Sequence, residues 1–220
     1  MFKYIEKIPN NMKSIVIYCH GFGDNKDRIY QHDKILNDNN IGIISFDLPC
    51  HGEDDTPYDK FNLDNCINYL KEIVNYVKKY NVDIYSIGSS FGGYVLLEYI
   101  RRYNDISKVF LKFPAVNFYE CIKRKLNIDD NFNNKEYIEL PNFKLYKESF
   151  KSFDSDLVNN FNTNSDIYII HGDKDSTVLL SDVDNFSTHF NIKLKVIEGA
   201  THGMKDYLDL INEEIINYFK

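Results

Sequence analysis

Short apolar runs alternate with amphipathic segments along most of the chain. The apolar runs are rich in β-branched residues and lack polar alternation, which is typical of strands buried on both faces of a parallel sheet. The pattern predicts such strands at residues 14–20, 41–48, 82–87, 108–115, 166–170 and 192–197. Residues 2–8 are a candidate for an antiparallel strand at the edge of the sheet.

The segments between the apolar runs carry apolar side chains three or four positions apart, which is the spacing of one helix face. Helices are expected at residues 63–80, 91–102, 179–189 and 204–219. Because strands and helices alternate, we expect an α/β fold with a doubly wound, mostly parallel sheet and helices on both faces.

Residues 116–165 break this alternation. The segment is too long for a bare connection in a compact domain. The segment contains the aromatic residues Phe118, Tyr119, Phe132, Tyr137, Phe143, Tyr146, Phe150 and Phe153. We interpret it as an inserted helical cap over the carboxyl ends of the strands, within a single domain of residues 1–220.

Composition and charge argue against several classes of function. Hydrophobic residues make up 43% of the chain, which is enough to bury a core, and the formal net charge is −7. An acidic protein is a poor candidate for nucleic-acid binding, which needs a basic face to neutralise phosphates. The N-terminal segment lacks the apolar region of a secretory signal, and no stretch approaches the ~20 apolar residues of a membrane span. We therefore expect a cytoplasmic protein with no nucleic-acid partner and no integral membrane segment.

The cysteines and acidic residues show no metal-binding pattern. The cysteines are Cys19, Cys50, Cys66 and Cys121, and their spacing matches no zinc site. Their neighbours indicate buried, reduced thiols. No HExxH or similar ligand set is present. We therefore expect neither a metal nor an organic cofactor.

Residues 88–92 carry the strongest chemical signal, the pattern G-x-S-x-G with Ser90 at its centre. An apolar strand precedes the pattern and a helix follows it. This context places the serine on a sharp, strained turn, where the residues two positions away on either side must be small. Ser89 is adjacent but lacks glycine at the flanking positions. We therefore predict Ser90 as a nucleophile; the alternative is a glycine-rich structural turn.

A nucleophilic serine needs a base, because its hydroxyl is almost never ionised near neutral pH. His202 follows the last predicted strand and therefore lies at the same sheet edge as Ser90. His20, His51 and His171 lie near that edge too, so position alone does not select the base. The order nucleophile, acid, histidine along the chain favours His202. The alternative is a histidine of a surface loop.

Two aspartates compete for the role of the acid, which fixes the imidazole tautomer and stabilises the imidazolium. Residues 171–178 read HGDKDSTV. Asp175 occupies the second acidic position of an H-G-x-x-D-x-x-V pattern, and we prefer it. Asp173 is more consistent with a turn or capping residue.

The segment His20-Gly21-Phe22-Gly23 follows the first buried strand directly. A glycine-lined turn there can point backbone N–H groups at a developing oxyanion. The expected donors are the amides of Phe22 and Phe91, the latter being the residue after the predicted nucleophile. His20 is more consistent with bracing this loop than with reacting. The alternative is a plain turn at a strand end.

Together these motifs resemble the α/β-hydrolase superfamily, in particular small esterases of its monoacylglycerol-lipase-like or cinnamoyl-esterase-like branch. The matching pieces are IVIYCHGFGDNK, ISFDLPCHGED, YSIGSSFGGYVLLEYI, IYIIHGDKDSTV and IEGATHGM. They cover the chain apart from its N-terminus and the cap. The resemblance implies a serine esterase that forms an acyl-enzyme intermediate on a small-molecule ester.

The resemblance also implies a structural turn at Asp47, His51 and Gly52, which match the family's F-D-x-x-x-H-G pattern. The sequence departs from many relatives at Ser89, where histidine is common, and at Cys50, where a glycine or small residue is common. Neither change removes a catalytic group. The short N-terminus suggests that the first antiparallel strands of the fold are reduced.

Other functions remain open at this point. A peptidase or amidase, a thioesterase, a lipid-surface enzyme and a non-catalytic ligand-binding module can all use this fold. The aromatic residues of the cap either line an apolar acyl or aryl pocket or simply pack the cap onto the core. The sequence leaves the natural substrate, the oligomeric state and movement of the cap undecided.

Overall fold

A computed structural model describes residues 2–220 and divides them into short strands and helices. The strands of this part of the chain are Tyr4–Lys7 (β1), Ser14–Cys19 (β2), Ile41–Phe46 (β3), Asp83–Ser89 (β4), Lys108–Lys112 (β5), Tyr137–Leu140 (β6), Phe143–Tyr146 (β7), Asp166–Gly172 (β8) and Lys193–Ile197 (β9). Each apolar run expected to be a strand contains one, with ends shifted by a few residues.

The helices of the described residues alternate with these strands. The α-helices are Asp33–Asp38 (α1), Leu63–Val77 (α2), Phe91–Arg102 (α3), Phe118–Leu126 (α4), Lys147–Phe150 (α5), Leu180–His189 (α6) and Leu208–Phe219 (α7). Short 3-10 helices lie at Lys26–Gln31, Tyr58–Lys60, Lys78–Tyr80, Phe132–Asn134, Lys151–Phe153 and Lys205–Tyr207. The four predicted helices are present as α2, α3, α6 and α7, and α1 is an addition that the sequence pattern did not reveal.

Seven of the strands in residues 2–220 form one sheet in the order β1-β3-β2-β4-β5-β8-β9. All its neighbouring strands are parallel except β1, which runs antiparallel to β3 with Tyr4 opposite Phe46. The prediction of a doubly wound, mostly parallel sheet is confirmed. After β2 the chain adds β3 on one side and then crosses to add β4 on the other side, so the strand order reverses between β2 and β4. In such sheets ligands bind outside the carboxyl ends of the strands at this reversal.

The core lies on both faces of the sheet, as the continuous apolar runs require. In β2, Ile15 and Ile17 pack on the face covered by α2 and α3, whereas Val16 faces the other layer with α1 and α7. Successive side chains of a strand point to opposite faces, so each residue of such a run must be apolar. Full burial of one such side chain stabilises the fold by about 1.5–3 kcal/mol.

The insertion at 116–165 contains helices, as expected, and also a β-hairpin. Strands β6 and β7 pair antiparallel, with Leu140 opposite Phe143. They are joined through Pro141 and Asn142, and Asn142 has a φ of +60°. Asparagine tolerates this left-handed conformation in tight turns. Six of the aromatic side chains named for the insertion are buried in the main core, namely Phe118, Tyr119, Phe132, Phe143, Phe150 and Phe153. They therefore pack the insertion onto the sheet.

All four cysteines are free and buried within the described chain. Burial raises the pKa of each thiol, to about 11 for Cys121. Cys50 has a φ of +65°, a conformation that favours glycine, in agreement with the glycine or small residue that the resemblance implies at this position. Between residues 2 and 220, no helix is both long and apolar enough to cross a membrane.

Candidate active site

Ser90 sits on the turn between β4 and α3, at the carboxyl edge of the sheet. Its φ of +51° and ψ of −113° are strained for a residue with a side chain. Its amide donates to the Lys112 carbonyl at 3.0 Å, and its own carbonyl accepts from the amides of Gly93 and Ala115 at 3.0 and 3.1 Å. Backbone hydrogen bonds from two directions thus hold the turn in its strained conformation.

The two glycines of the G-x-S-x-G pattern permit this turn. A Cβ on Gly92 would overlap the Cys19 carbonyl, and a Cβ on Gly88 would come within 2.7 Å of the Gly93 Cα. Even a methyl group at either position would therefore displace the backbone on which Ser90 depends.

The structure brings the predicted nucleophile, base and acid together. His202 Nε2 lies 3.1 Å from Ser90 Oγ, and His202 Nδ1 lies 2.7 Å from Asp175 Oδ2. An ionised carboxylate only accepts, so Nδ1 carries the proton and Nε2 is left to accept from the serine hydroxyl. This is the tautomer that a general base at Ser90 requires. The His202 side chain is 26% exposed, so the pair is open to a substrate.

Asp175 is held as an anion by its surroundings. Its side chain is fully buried, and its Oδ1 accepts from the amides of Thr177 and Val178 at 2.8 and 2.9 Å. Burial works against the charged form, but the hydrogen bonds from His202 and the two amides outweigh it. They place the pKa of Asp175 below its ordinary value.

Asp173 lies in the same turn and has a different partner. Its Oδ1 accepts from the Gly199 amide at 2.7 Å, which ties the segment after β8 to the segment after β9. The turn or capping role expected for Asp173 agrees with this contact. The geometry thus separates two aspartates that the sequence could rank only by motif position.

Two further side chains lie beside the His202–Asp175 pair. The ring of Phe113 packs edge-on against His202, with centroids 4.8 Å apart. His171 Nε2 lies 3.7 Å from Asp175 Oδ2 and 3.1 Å from the Val178 carbonyl. Burial lowers the pKa of His171, so a neutral ring lies beside the carboxylate. Phe113 was not predicted as a site residue, and its only signal in the sequence is its place in the apolar run of β5.

The loop after β2 lies against the nucleophile turn. A Cβ on Gly21 would be 3.6 Å from the Ser90 Cβ. Phe22 is the next residue, and Phe91 is the first residue of α3, where a backbone amide has no partner within its helix. The amides expected to form an oxyanion hole thus belong to segments that meet at Ser90. Their role as donors stays a prediction.

His20 braces this loop, as expected. Its Nδ1 donates to the Gly21 carbonyl at 2.8 Å, and its Nε2 accepts from the Leu48 amide at 3.0 Å. Burial lowers the pKa of His20, which keeps the ring neutral and able to make both contacts. Both ring nitrogens are therefore occupied with structure.

The turn after β3 is fixed by a buried carboxylate. Asp47 accepts from the backbone amides of Lys26 and Glu53 at 2.8 and 2.9 Å and pairs with the Lys26 ammonium at 3.1 Å. Gly52 in this turn has a φ of +58°, and a Cβ there would collide with the Asp47 carboxylate. These contacts explain why the pattern at 46–52 is structural.

An aromatic cluster covers the loop that carries Phe22. The Phe22 ring lies 5.0 Å from Phe143 and 5.8 Å from Phe118, both from the insertion. His51 packs among the same rings, and burial lowers its pKa to about 3. A cavity of about 560 Å³ borders the loop at Gly23, with mostly polar walls.

Nowhere in residues 2–220 do three or more histidine, cysteine, aspartate or glutamate side chains cluster so that they could hold a metal ion. The groups that converge at the site are a serine hydroxyl, an imidazole and a carboxylate in series. This arrangement can activate the serine for attack on a carbonyl carbon.

Residues 10–128 match the model of a protein family described as serine aminopeptidase, S33. The match covers more than half of the chain and includes Ser90 and the loop that carries Phe22. Asp175 and His202 lie beyond it. No curated protein matches the chain significantly in sequence.

Solved structures share the fold over nearly the whole chain. Est1E from Butyrivibrio proteoclasticus, solved with ferulic acid bound, superposes with a TM-score of 0.85 at 22% identity, covering 99% of this chain and 95% of its own. The monoacylglycerol lipase of Paleococcus ferrophilus gives 0.75 at 15% identity, covering 99% and 98%. The esterase EaEST from Exiguobacterium antarcticum gives 0.73 at 18%, covering 99% and 94%. At these identities the likeness shows the fold alone.

Proposed function

The chain belongs to the serine aminopeptidase S33 family and has the α/β-hydrolase fold, and we propose that it is a serine esterase acting on small carboxylic esters. The observation that carries this proposal is the imidazole of His202, which bridges Ser90 at 3.1 Å and Asp175 at 2.7 Å. A serine on a strained turn, a base in the required tautomer and a buried anion are the parts that acyl transfer needs.

In the proposed mechanism, His202 Nε2 takes the proton of Ser90 as Oγ attacks the ester carbonyl. The amides of Phe22 and Phe91 stabilise the negative charge that forms on the carbonyl oxygen. Asp175 stabilises the imidazolium, which then protonates the leaving alcohol. Water attacks the acyl-enzyme with His202 as the base and releases the acid. The mechanism needs no metal and no cofactor.

Amide hydrolysis is the second candidate, because the family description names an aminopeptidase. An aminopeptidase must bind the ammonium group of its substrate, which calls for a free carboxylate near the nucleophile. Three of the carboxylates beside the Phe22 loop already have partners. Asp24 receives the Arg28 guanidinium at 2.6 Å, Asp47 pairs with Lys26, and Asp54 accepts from Cys50, Thr56 and Tyr69. This favours a substrate with an uncharged acyl group over the free N-terminus that an aminopeptidase binds.

The aromatic packing of the insertion supports a small acyl group. Phe118 and Phe143 fill the space beside Phe22, so a long acyl chain would have to displace buried rings. A thioester would fit the same site. The cytoplasmic location expected from the sequence stays a prediction.

Hydrolysis of p-nitrophenyl esters from acetate to palmitate tests the proposal. We expect kcat/KM to be highest for the short esters and to fall by about tenfold or more at palmitate, because a poorly fitting chain loses binding energy in the transition state. Alanine p-nitroanilide, assayed in parallel, should be cleaved far more slowly than the acetate.

Faster cleavage of the anilide than of any ester would contradict the esterase proposal in favour of a peptidase. A fluorophosphonate probe, which reacts with an activated serine, distinguishes a serine hydrolase from a non-catalytic module. Labelling at Ser90 is expected, whereas an unlabelled protein that hydrolyses nothing would point to a non-catalytic ligand-binding module.

A further inference from the structure

Lys112 is a buried lysine directly beneath the candidate active site. It ends β5, its residue is 3% exposed, and its backbone pairs with Ser89 at the end of β4. Its carbonyl accepts the Ser90 amide at 3.0 Å, and the next residue, Phe113, packs against His202. The Lys112 backbone thus contacts the nucleophile turn, and its chain neighbour contacts the base.

The side chain of Lys112 contacts residues that precede and residues that follow the Phe22 loop in the sequence. Its amine lies 2.9 Å from His32 Nε2, 3.3 Å from the Tyr18 hydroxyl and 3.5 Å from Gln31 Oε1. Tyr18 lies just before the loop, and Gln31 and His32 lie at the end of the 3-10 helix that follows it. One amine therefore holds both ends of the chain segment that presents Phe22.

The network continues to the helix after the base. His32 Nδ1 lies 2.6 Å from Asn212 Oδ1 on α7, and the Asn212 amide donates to the Gln31 carbonyl at 3.2 Å. Because the asparagine oxygen only accepts, Nδ1 of His32 carries the proton and Nε2 accepts from Lys112. Burial and the nearby Lys112 charge lower the pKa of His32, which keeps this ring neutral.

A lysine at this buried position destabilises the fold, because its amine is removed from water. Among residues 2–220, no carboxylate makes a hydrogen bond or ion pair with its amine. The facing charges are Arg28, which disfavours the ammonium, and Asp24, which favours it but is paired with Arg28. A methionine of similar length would remove the buried ionisable group, but His32 Nε2 and the Tyr18 hydroxyl would lose this partner. Sequences keep such costly exceptions mainly where function needs them.

We infer that Lys112 is a positioning residue of the candidate active site, whose amine fixes the loop carrying Phe22 against the turn carrying Ser90. The amine acts at a distance from the reacting atoms, through Tyr18, Gln31 and His32. Its effect should therefore fall on the alignment of the oxyanion donor with the nucleophile, and not on ground-state binding. This inference rests on the proposed serine hydrolase function.

The test compares Lys112→Met with Lys108→Met. Lys108 starts the same strand, is half-buried, and donates to the Tyr218 carbonyl at 2.9 Å, away from Ser90. We expect Lys112→Met to lower kcat for p-nitrophenyl acetate by about 10- to 100-fold with KM within about twofold, since small misplacements of catalytic groups cost this much. Lys108→Met should keep the wild-type kcat.

The outcomes separate this inference from the proposed function. A folded Lys112→Met protein with the wild-type kcat, alongside a dead Ser90→Ala protein, would overturn the positioning role and leave the esterase intact. If wild type hydrolyses no ester, the esterase itself fails, and fluorophosphonate labelling rates of the two lysine variants then decide the positioning role.

If Lys112→Met does not fold, Asn212→Ala tests the same network from its far end. Asn212 is partly exposed and releases His32 when truncated. We expect kcat to fall with KM unchanged. A wild-type kcat in folded Asn212→Ala would count against the inference.

The pH dependence of stability gives an independent readout. Burial, and then the Arg28 charge, lower the pKa of Lys112 from 10.5 to about 7 in the folded protein. Between these pH values the unfolded chain binds the proton that the folded protein releases, so stability rises with pH across this window. Below pH 7 the buried ammonium destabilises the fold in full. The Tm of Lys112→Met relative to that of wild type should therefore be higher at pH 6 than at pH 9. An equal Tm difference at both pH values would contradict the surroundings of this amine, buried and without a carboxylate partner among residues 2–220, and would count against its positioning role.

Discussion

The Ser90→Ala protein is expected to hydrolyse p-nitrophenyl acetate with a kcat lower than that of wild type by roughly 10⁴- to 10⁶-fold. The substitution removes only the Oγ that lies 3.1 Å from His202 Nε2. Without it no acyl-enzyme forms, and the remaining oxyanion donors can assist only direct attack by water. Alanine keeps the Cβ and the backbone hydrogen bonds of the turn, so the fold should survive. Hydrolysis rates and thermal unfolding of both proteins check this.

Ser89→Ala is the matched control, since it removes the same group one residue earlier. Ser89 is buried at the end of β4. Its variant should stay within a few-fold of wild type, because its hydroxyl is not in series with His202. If Ser89→Ala lost activity and Ser90→Ala kept it, the nucleophile would have been assigned to the wrong serine.

The Asp175→Asn protein is expected to lose roughly 10⁴-fold in kcat, a loss of the size known for the aspartate of the serine protease triad. In Asp175, Oδ1 accepts from the amides of Thr177 and Val178. The carboxamide oxygen would take this place, and its NH₂ group would then face His202 Nδ1. An NH₂ group there favours the imidazole tautomer protonated on Nε2, which cannot accept the proton of Ser90. The kcat of the variant at neutral pH measures this effect.

Asp173→Asn provides the comparison within the same turn. Asparagine can still accept the hydrogen bond from the Gly199 amide, so its kcat should stay within a few-fold of wild type. A large loss in Asp173→Asn together with a small loss in Asp175→Asn would assign the acid to Asp173 instead.

Most of the sheet could be predicted from the sequence because its strands are buried on both faces. The strand Ser14–Cys19, for example, is buried at every position. Because both faces of such a strand are buried, its residues form a continuous apolar run that can be recognised in the sequence. Helix α1 gives almost no signal, because Leu36 is its one buried residue among those described. The hairpin of β6 and β7 was missed for a similar reason, since β6 is only half-buried.

The candidate site was predictable where a motif and the chain order constrain it. Ser90, Asp175 and His202 each follow a strand, and parallel strands bring their carboxyl ends to one edge. Lys112 and Phe113 escaped because their proximity to the site depends on register. Ser89 pairs with Lys112 across β4 and β5, and no pattern within either strand encodes that pairing.

Ser90 and His202 follow strands that differ in how many neighbouring strands they have. Ser90 follows a central strand, whereas His202 follows β9, an edge strand that pairs on one side with β8. Regions with few neighbours open more often than the core, without unfolding of the whole protein. Opening of this edge would withdraw the imidazole while the nucleophile turn stays intact. Catalytic activity would then be lost in a separate step of local unfolding, before the rest of the domain unfolds cooperatively.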